Sequence, residues 1–485
     1  MSGELDIEEL KRWDERIREK VDAFGLECYP QEYEVSDHLQ MLSYMAYSGM
    51  PAHYPHWSYG KSYEKLKTTY DHGVSGLPYE MVINSNPCIA YLMRENSLAL
   101  TVLTMAHVYG HNDFFKNNFT FAHTRAELTV SNFKLHAERV RRYVEDPSIG
   151  RKEVELTLDA AHALSLQLNR NRALRKRSPQ EQIAAAAERS YPARDAYQTI
   201  HKGQEASAVD LDRIPLEPEA DLLLFIRDNN RQLTEWQRDL LTIVHEEAEY
   251  FLPQIETKIM NEGWASFWHR TIMNNLELPQ SMHLEFLVHH NQVVRPITGD
   301  LNPYHLGLKI WDDIWRRFGD TGGVLPSPDV PPDGQALAKL FEVREVDRDA
   351  SFLRRFLSNE LIEELDLFRH QARGKEQVVT HVANDEGCDA IRQTLISNVG
   401  MGAVPVIKVE DADYDRDRSL YLKHYHDGRE LKLDFAEKTL EHLYRLWGRR
   451  VVLETTVHDR GVLLCFDEDG FDSKEHKRDP DDLFH

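Results

Sequence analysis

Cysteine is scarce in this sequence. The four that occur, Cys28, Cys88, Cys388 and Cys465, are far apart, and no two of them form a CxxC pair. This spacing argues against a disulfide framework and against a zinc site built from thiolates. We therefore expect reduced, packed cysteines.

Long apolar runs are missing as well. The longest uncharged one, from Ser97 to Gly110, is too short to cross a bilayer. The first twenty residues (MSGELDIEELKRWDERIREK) are charged from the fourth residue onward and contain no apolar h-region, which argues against an ordinary secretory signal. The sequence thus predicts a cytoplasmic protein without a membrane span.

Positive charge is also in short supply. Lys and Arg total 58 against 81 Asp and Glu, so the formal net charge is -23. A nucleic-acid-binding protein needs a basic surface, and the one dense basic segment, at 169–177 (NRNRALRKR), has no interleaved aromatic residues. We interpret it as a solvated linker and expect no nucleic-acid partner. The acidic excess suits a cytoplasm of high ionic strength and indicates a halophilic source.

Helical periodicity dominates the first three quarters of the chain. Near the N-terminus, for example, Ile7, Leu10, Trp13, Ile17 and Val21 recur every three or four residues. Farther on, short β-type runs alternate with helices. The fold class predicted is therefore mainly α, a large helical domain followed by a smaller α+β C-terminal module.

The predicted domain boundaries follow from changes in this pattern. They are a helical domain with a His- and Glu-rich centre at 1–325, a Pro-rich linker and long helix at 326–374, the α+β module at 375–467, and a charged tail at 468–485. Within these regions we predict one helix from Ala350 to Gln371, a hairpin turn at His426 to Glu430 (HDGRE), and no catalytic residue in the α+β module.

Histidine is abundant, with 24 residues, and two are spaced as metal ligands often are. His107 and His111 lie four apart in an apolar helix, so both imidazoles share one face. Helical zinc sites gather two ligands in this way. The alternative is a pair of core histidines hydrogen-bonded to backbone or carboxylate groups.

A second segment strengthens the metal hypothesis. NEGWASF, within 260–269, resembles the NEGFA-type segment by which zinc aminopeptidases of the gluzincin group supply a glutamate ligand. On that resemblance Glu262 is the third ligand of a divalent metal, zinc, in a degenerate gluzincin-like core. His269, seven residues farther on the same helical face, is a fourth ligand or a nearby base. His162, on an otherwise apolar helix, is either a satisfied core histidine or a further contributor to the same centre. Alternatively, Glu262 is a buried carboxylate paired with a basic side chain.

The departures from that pattern are informative. A catalytic HExxH helix has a glutamate after its first histidine, whereas this chain has Val108. The third-ligand segment also lies about 150 residues downstream, where the peptidase pattern has it close by. A standard zinc protease is thus not expected. Glu246 and Glu247 (in HEEAEYF) are candidates for a displaced base, and the alternative for them is a charged surface face.

Several longer segments resemble the SpoVR-like family (stage V sporulation protein R). They are MLSYMAYSGMPAHYPHWSYGKSYE at 41–64, PYEMVINSNPCIAYLM at 78–93, YGHNDFFKNN at 109–118, QIETKIMNEGWASFWH at 254–269, LNPYHLGLKIWDDI at 301–314 and FLSNELIEELDLF at 356–368. The resemblance implies a link to spore cortex formation in bacteria, and as partners an AAA-type serine protein kinase and its companion protein. It brings no established reaction.

Two functional hypotheses therefore stand side by side. In one, the protein is a metal-dependent, hydrolytic enzyme. In the other, it is a non-catalytic regulatory or scaffold partner of the kinase system, and its His and Glu residues form a structural core.

Overall fold

The computed structural model describes residues 6–72, 80–170, 175–190, 213–297, 300–367, 370–373, 376–379 and 385–476. Its helices are α1 (Ile7–Ala23), α2 (His38–Ala46), α3 (Trp57–Asp71), α4 (Leu98–Asn117), α5 (Thr129–Glu145), α6 (Arg151–Leu164), α7 (Pro179–Ser190), α8 (Leu222–Asn229), α9 (Glu235–Glu256), α10 (Lys258–Asn275), α11 (Gln280–Val293), α12 (Pro303–Phe318), α13 (Gly334–Val346), α14 (Asp349–Phe356), α15 (Asn359–Glu364), α16 (Asp385–Asn398) and α17 (Leu433–Trp447). Its strands are β1 (Gln31–Ser36), β2 (Glu80–Ile83), β3 (Cys88–Met93), β4 (His370–Arg373), β5 (Glu376–Val379), β6 (Ile407–Tyr414), β7 (Ser419–His424), β8 (Val451–Val457), β9 (Arg460–Asp467) and β10 (Gly470–Glu475).

The chain divides into two compact units, each made of two segments. The first unit comprises residues 1–141 and 249–403, and the second comprises 142–248 and 404–485. The predicted boundaries at 325, 374 and 467 do not coincide with this division, because α6 packs against α17 and so joins the middle of the chain to its C-terminal part. None of the helices in the described ranges is both long and apolar enough to cross a membrane.

The first unit is built around α4, α10 and α12. From Ala99 to Phe115 every residue of α4 is buried, as its nearly continuous apolar sequence predicts. Helix α10 lies between α4 and α12 and contributes large buried side chains, including Trp264 and Trp268. A three-stranded sheet of order β1-β3-β2 also contacts α4, and β2 pairs antiparallel with β3.

Glycines allow these three helices to approach one another closely. A β-carbon added at Gly110 of α4 would lie 2.6 Å from the Cα of Ala265 in α10. At the other crossing, a β-carbon at Gly263 would lie 2.3 Å from the carbonyl carbon of Gly307 in α12. Real side-chain carbons do not approach backbone atoms this closely, so both crossings require glycine.

The start of α10 is fixed by a buried carboxylate. Asp349 Oδ2 accepts a hydrogen bond from the Ile259 amide, and Asp349 Oδ1 accepts one from the Met260 amide, both at 2.9 Å. These contacts satisfy two amides that a helix N-terminus otherwise leaves unpaired. The helix that carries the NEGWASF segment is thereby held in register.

The second unit contains a five-stranded sheet of order β10-β9-β8-β7-β6. Strands β7 and β8 are parallel, and the other neighbouring pairs are antiparallel. Helix α17 connects β7 to β8 and packs on β8 and β9 through an apolar face that includes Leu440 and Leu443. The predicted fold class is confirmed: a mainly α protein with an α+β C-terminal module.

Three local predictions are wrong. The HDGRE segment is no hairpin turn, because parallel strands need a crossover, and the segment leads from β7 into α17. The long helix predicted over 350–371 is divided into α14 and α15 by Ser358, whose side chain caps α15 by accepting from the Leu361 amide. The tail predicted from residue 468 contains β10, which pairs with β9. Residues 477–485 lie outside the described ranges.

Candidate metal centre

Helices α4 and α10 bring two imidazoles and a carboxylate together inside the first unit. His107 and His111 are 3% and 6% exposed, and both point Nε2 toward Glu262. Glu262 Oε2 lies 3.8 Å from His107 Nε2 and 3.5 Å from His111 Nε2. The crossing at Gly110, which precedes His111 and meets Ala265 of α10, brings the two helices close enough for this contact.

A second carboxylate reaches the same place from β2. Glu80 Oε1 lies 3.7 Å from His107 Nε2, and the donor atoms of Glu80, His107 and His111 all lie within 4.8 Å of one another. Neighbouring ligand atoms around a tetrahedral zinc ion are about 3.4 Å apart, because each bond is about 2.1 Å long. The group could therefore hold a metal ion.

The outer nitrogens of the two imidazoles are anchored behind the cluster. His111 Nδ1 lies 2.8 Å from Asn261 Oδ1, and His107 Nδ1 lies 2.8 Å from His269 Nδ1. The row continues, since His269 Nε2 lies 2.7 Å from His290 Nδ1. Metal-binding histidines are usually oriented in this way, with one nitrogen hydrogen-bonded and the other turned toward the ion.

Because the His111 ring is neutral, its Nε2 and the Glu262 carboxylate are two hydrogen-bond acceptors that face each other. Burial, together with the charge of His107, lowers the pKa of His111 to about 4, so the ring is neutral at neutral pH. Because Asn261 Oδ1 accepts the Nδ1 proton, His111 Nε2 presents a lone pair to Glu262. Among the described residues, neither Glu262 Oε2 nor His107 Nε2 has a hydrogen-bond partner, although both atoms are buried. A cation between them would satisfy all three atoms.

The two carboxylates draw positive charge into the cluster. Burial alone would lower the pKa of His107, but Glu80 and Glu262 outweigh it, and the pKa is raised. Burial raises the pKa of Glu80. Burial also opposes ionisation of Glu262, yet His107, His111 and Tyr304 outweigh it and lower the pKa of Glu262. The cluster therefore favours a bound proton or a bound cation.

The cluster lies at the wall of a cavity of about 560 Å³. Its lining includes Glu80, His107 and Glu262, together with Tyr304 from the start of α12. The site can thus be reached by a small molecule.

Comparison with known proteins identifies the family. Residues 4–404 match the family described as SpoVR like protein, and residues 405–458 match the SpoVR-like C-terminal domain.

The chain belongs to the SpoVR family.

A relative from Escherichia coli strain K12, named "Uncharacterized protein YcgB", is 36% identical over 466 residues, which cover 91% of this chain and 90% of the relative. No solved structure matches. The boundary between the two family matches falls where the second unit resumes, at residue 404.

The other site residues predicted from the sequence occupy different positions in this SpoVR-family chain. His269 is fully buried, and both of its ring nitrogens are in the row of hydrogen bonds behind His107. His162, Glu246 and Glu247 belong to the second unit and take part in none of the contacts described above. On α9 the Glu246 side chain is exposed, whereas Glu247 is buried.

Two members of the SpoVR-family cluster are not predicted from the sequence. The sequence predicts a strand at 79–83 (YEMVI), and Glu80 opens the observed strand β2. Strand alternation, however, shows which face a residue is on and not what lies opposite it. His290 lies on α11, and its segment (HLEFLVHHNQV) gives no clear helical period. For Glu80, the sequence feature that could have indicated a site residue is a glutamate at the start of an apolar strand.

Proposed function

We propose that this protein binds one divalent metal ion through His107, His111 and Glu262, and that the ion serves a hydrolytic reaction in the adjoining cavity. The observation that carries the proposal is the buried convergence of His107 Nε2 and His111 Nε2 on Glu262 Oε2, at 3.8 Å and 3.5 Å, where Glu262 Oε2 has no hydrogen-bond partner among the described residues. Such an arrangement costs several kcal/mol unless a cation compensates it. When bound, a divalent cation polarises a carbonyl or phosphoryl oxygen and lowers the pKa of a water molecule.

Zinc suits this donor set. Imidazole nitrogens combined with carboxylate oxygens are typical zinc ligands, and catalytic zinc sites keep one position open. His107, His111 and Glu262 would supply three ligands and so would leave a fourth position for water or substrate.

Glu80 is the residue to which we assign the proton-accepting role. An HExxH helix would carry its base at position 108, where this chain has a fully buried valine. Glu80 places a carboxylate beside the same histidines from β2 instead, and burial raises its pKa, as suits a general base at neutral pH. The base is thus supplied from a different element.

Measurement of the zinc content tests whether the protein binds a metal ion through these residues. After equilibration with zinc and removal of free metal, the wild-type protein should retain one ion per chain, and Glu262→Gln and His111→Ala should retain far less. His424→Gln, which removes a buried histidine from the second unit, is the matched control and should bind like the wild type. If His111→Ala retains as much zinc as the wild type, the cluster is a hydrogen-bonded core. A non-catalytic role beside a serine protein kinase would then be favoured.

Glu80→Gln separates the base from the ligands. We expect this variant to keep its zinc and to lose hydrolysis of amide, ester or phosphoester substrates that the wild type cleaves. Loss of zinc from Glu80→Gln would instead make Glu80 a ligand, and an unchanged hydrolysis rate would remove it from the reaction.

A further inference from the structure

Two cationic side chains lie at the mouth of the cavity. Lys258 begins α10, one turn before Glu262, and Arg295 follows the end of α11. Both are exposed, in a chain whose net charge is -23. Within the described part of the chain, neither side chain forms an ion pair within 4 Å, and the interaction of Lys258 with Asp349 acts over a longer distance.

The segment that carries Arg295 is held firmly by α12. Asn302 Nδ2 donates to the carbonyl oxygens of Val293 and Arg295, at 2.9 Å and 2.8 Å. His305 Nδ1 lies 2.8 Å from the carbonyl oxygen of Val294. Three successive carbonyl groups are therefore fixed, and the backbone of Arg295 stays at the cavity rim.

Lys258 and Arg295 do not serve to neutralise the buried carboxylates of the cluster. Lys258 is one turn from Glu262, a spacing at which two side chains are neighbours on a helix, yet the two form no ion pair. The ammonium and guanidinium groups are instead exposed at the entrance, where a ligand inside the cavity would meet them.

We infer that the cavity takes an anionic substrate, whose reacting bond lies at the His107, His111 and Glu262 cluster and whose carboxylate or phosphate group lies between Lys258 and Arg295. This inference rests on the proposed function. It adds the class of substrate. A charged hydrogen bond from each cation would favour an anionic ligand over its neutral counterpart by about tenfold or more.

The test compares two ligands with the same metal-binding group. Acetohydroxamate is neutral at its far end, and succinic monohydroxamate carries a carboxylate there. Calorimetric titration of the zinc-loaded protein should give about tenfold tighter binding of the succinic compound. In the Lys258→Gln/Arg295→Gln double variant that difference should disappear, while acetohydroxamate binds as before. Arg12→Gln/Lys65→Gln makes the same change in net charge at exposed residues outside the cavity lining, and it should keep the difference.

The outcomes are separable. If both hydroxamates bind the wild type equally well, or if the cavity-mouth variant keeps the tenfold difference, the anionic site is refuted and the metal site stands. If neither compound binds the zinc-treated protein, the proposed function fails, and the inference fails with it. Repeating the titration with phosphorylated and carboxylated ligands of equal length shows which anion is preferred.

Discussion

The row of buried histidines at the centre of the first unit, from His107 to His290, differs from two buried histidines of the second unit. In the second unit, His245 Nε2 lies 2.8 Å from Asp221, and His424 Nδ1 lies 2.9 Å from the Thr455 hydroxyl, so each ring has a hydrogen-bond partner that is not another histidine. At the centre of the first unit, imidazole contacts imidazole in the row from His107 to His290, and Glu262 Oε2, which faces His107, has no hydrogen-bond partner among the described residues. Satisfied pairs are what stability alone favours. The histidine row of the first unit is therefore not what stability alone would favour, and the proposed metal site would account for it.

Substitution of a glycine at a helix crossing of the first unit should have the largest effect on stability and on zinc binding. In Gly263→Ala, the new methyl group would overlap the backbone of Gly307, and we expect a loss of about 3 kcal/mol or more in the free energy of unfolding, together with loss of zinc binding. Urea unfolding and zinc content measure both effects. The matched control is Gly60→Ala on α3, where no atom lies within 4 Å of the added carbon, and this change should be neutral or stabilising. Equal effects of the two substitutions would show that the close crossing does not hold the site.

Zinc should stabilise the first unit selectively. At free zinc one hundred times the dissociation constant, binding adds about 2.7 kcal/mol to the free energy of unfolding. Hydrogen exchange should then slow in α4 and α10, with little change in β8. Glu262→Gln should abolish the difference. Equal slowing in both units, or slowing that survives Glu262→Gln, would mean that zinc acts elsewhere.

The stability of the second unit at acidic pH should depend on the buried His424. Burial lowers the pKa of His424 to about 4, below the value of about 6.5 for an unfolded chain. Between these values the unfolded state binds more protons, so stability is full above pH 6.5 and falls by about 3 kcal/mol as the pH approaches 4. His424→Gln keeps a hydrogen-bonding group and should flatten this part of the pH profile. A variant profile parallel to that of the wild type would remove His424 as the cause.

Salt should produce the smallest shift and should not distinguish the units. With a net charge of -23, screening of surface repulsion should raise the thermal midpoint in molar potassium chloride. A non-ionic osmolyte at equal osmolality is the control for solvent exclusion. A midpoint that is unchanged or lower in salt would contradict the halophile hypothesis.

The helices that form the site are predicted from the sequence because their patterns are long. The sequence indicates helices at about 94–115 and 254–273, and the structure has α4 at Leu98–Asn117 and α10 at Lys258–Asn275. The helical period also places His107 and His111 on one face. Strand β3, in contrast, is not predicted, because a short apolar run after Pro87 does not distinguish a strand from the start of a helix.

The partners of the site are harder to predict than its helices. Periodicity predicts which side of an element is buried, but not which element it packs against. The proximity of Glu80 and His290 to His107 therefore cannot be predicted from the sequence. The same limit applies to the division into units. Residues 142–248 carry helical patterns like those before them, and only packing against the C-terminal part assigns them to the second unit.

The cluster also ties together distant parts of the chain. His111 and Asn261 of α10 are separated by 150 residues, and β2 supplies Glu80 from a third element. An ion held there would act as a reversible cross-link that closes a very long loop, and it would stabilise mainly by restricting the unfolded chain. During synthesis no such link can form until α10 has emerged, after more than half of the protein has been made.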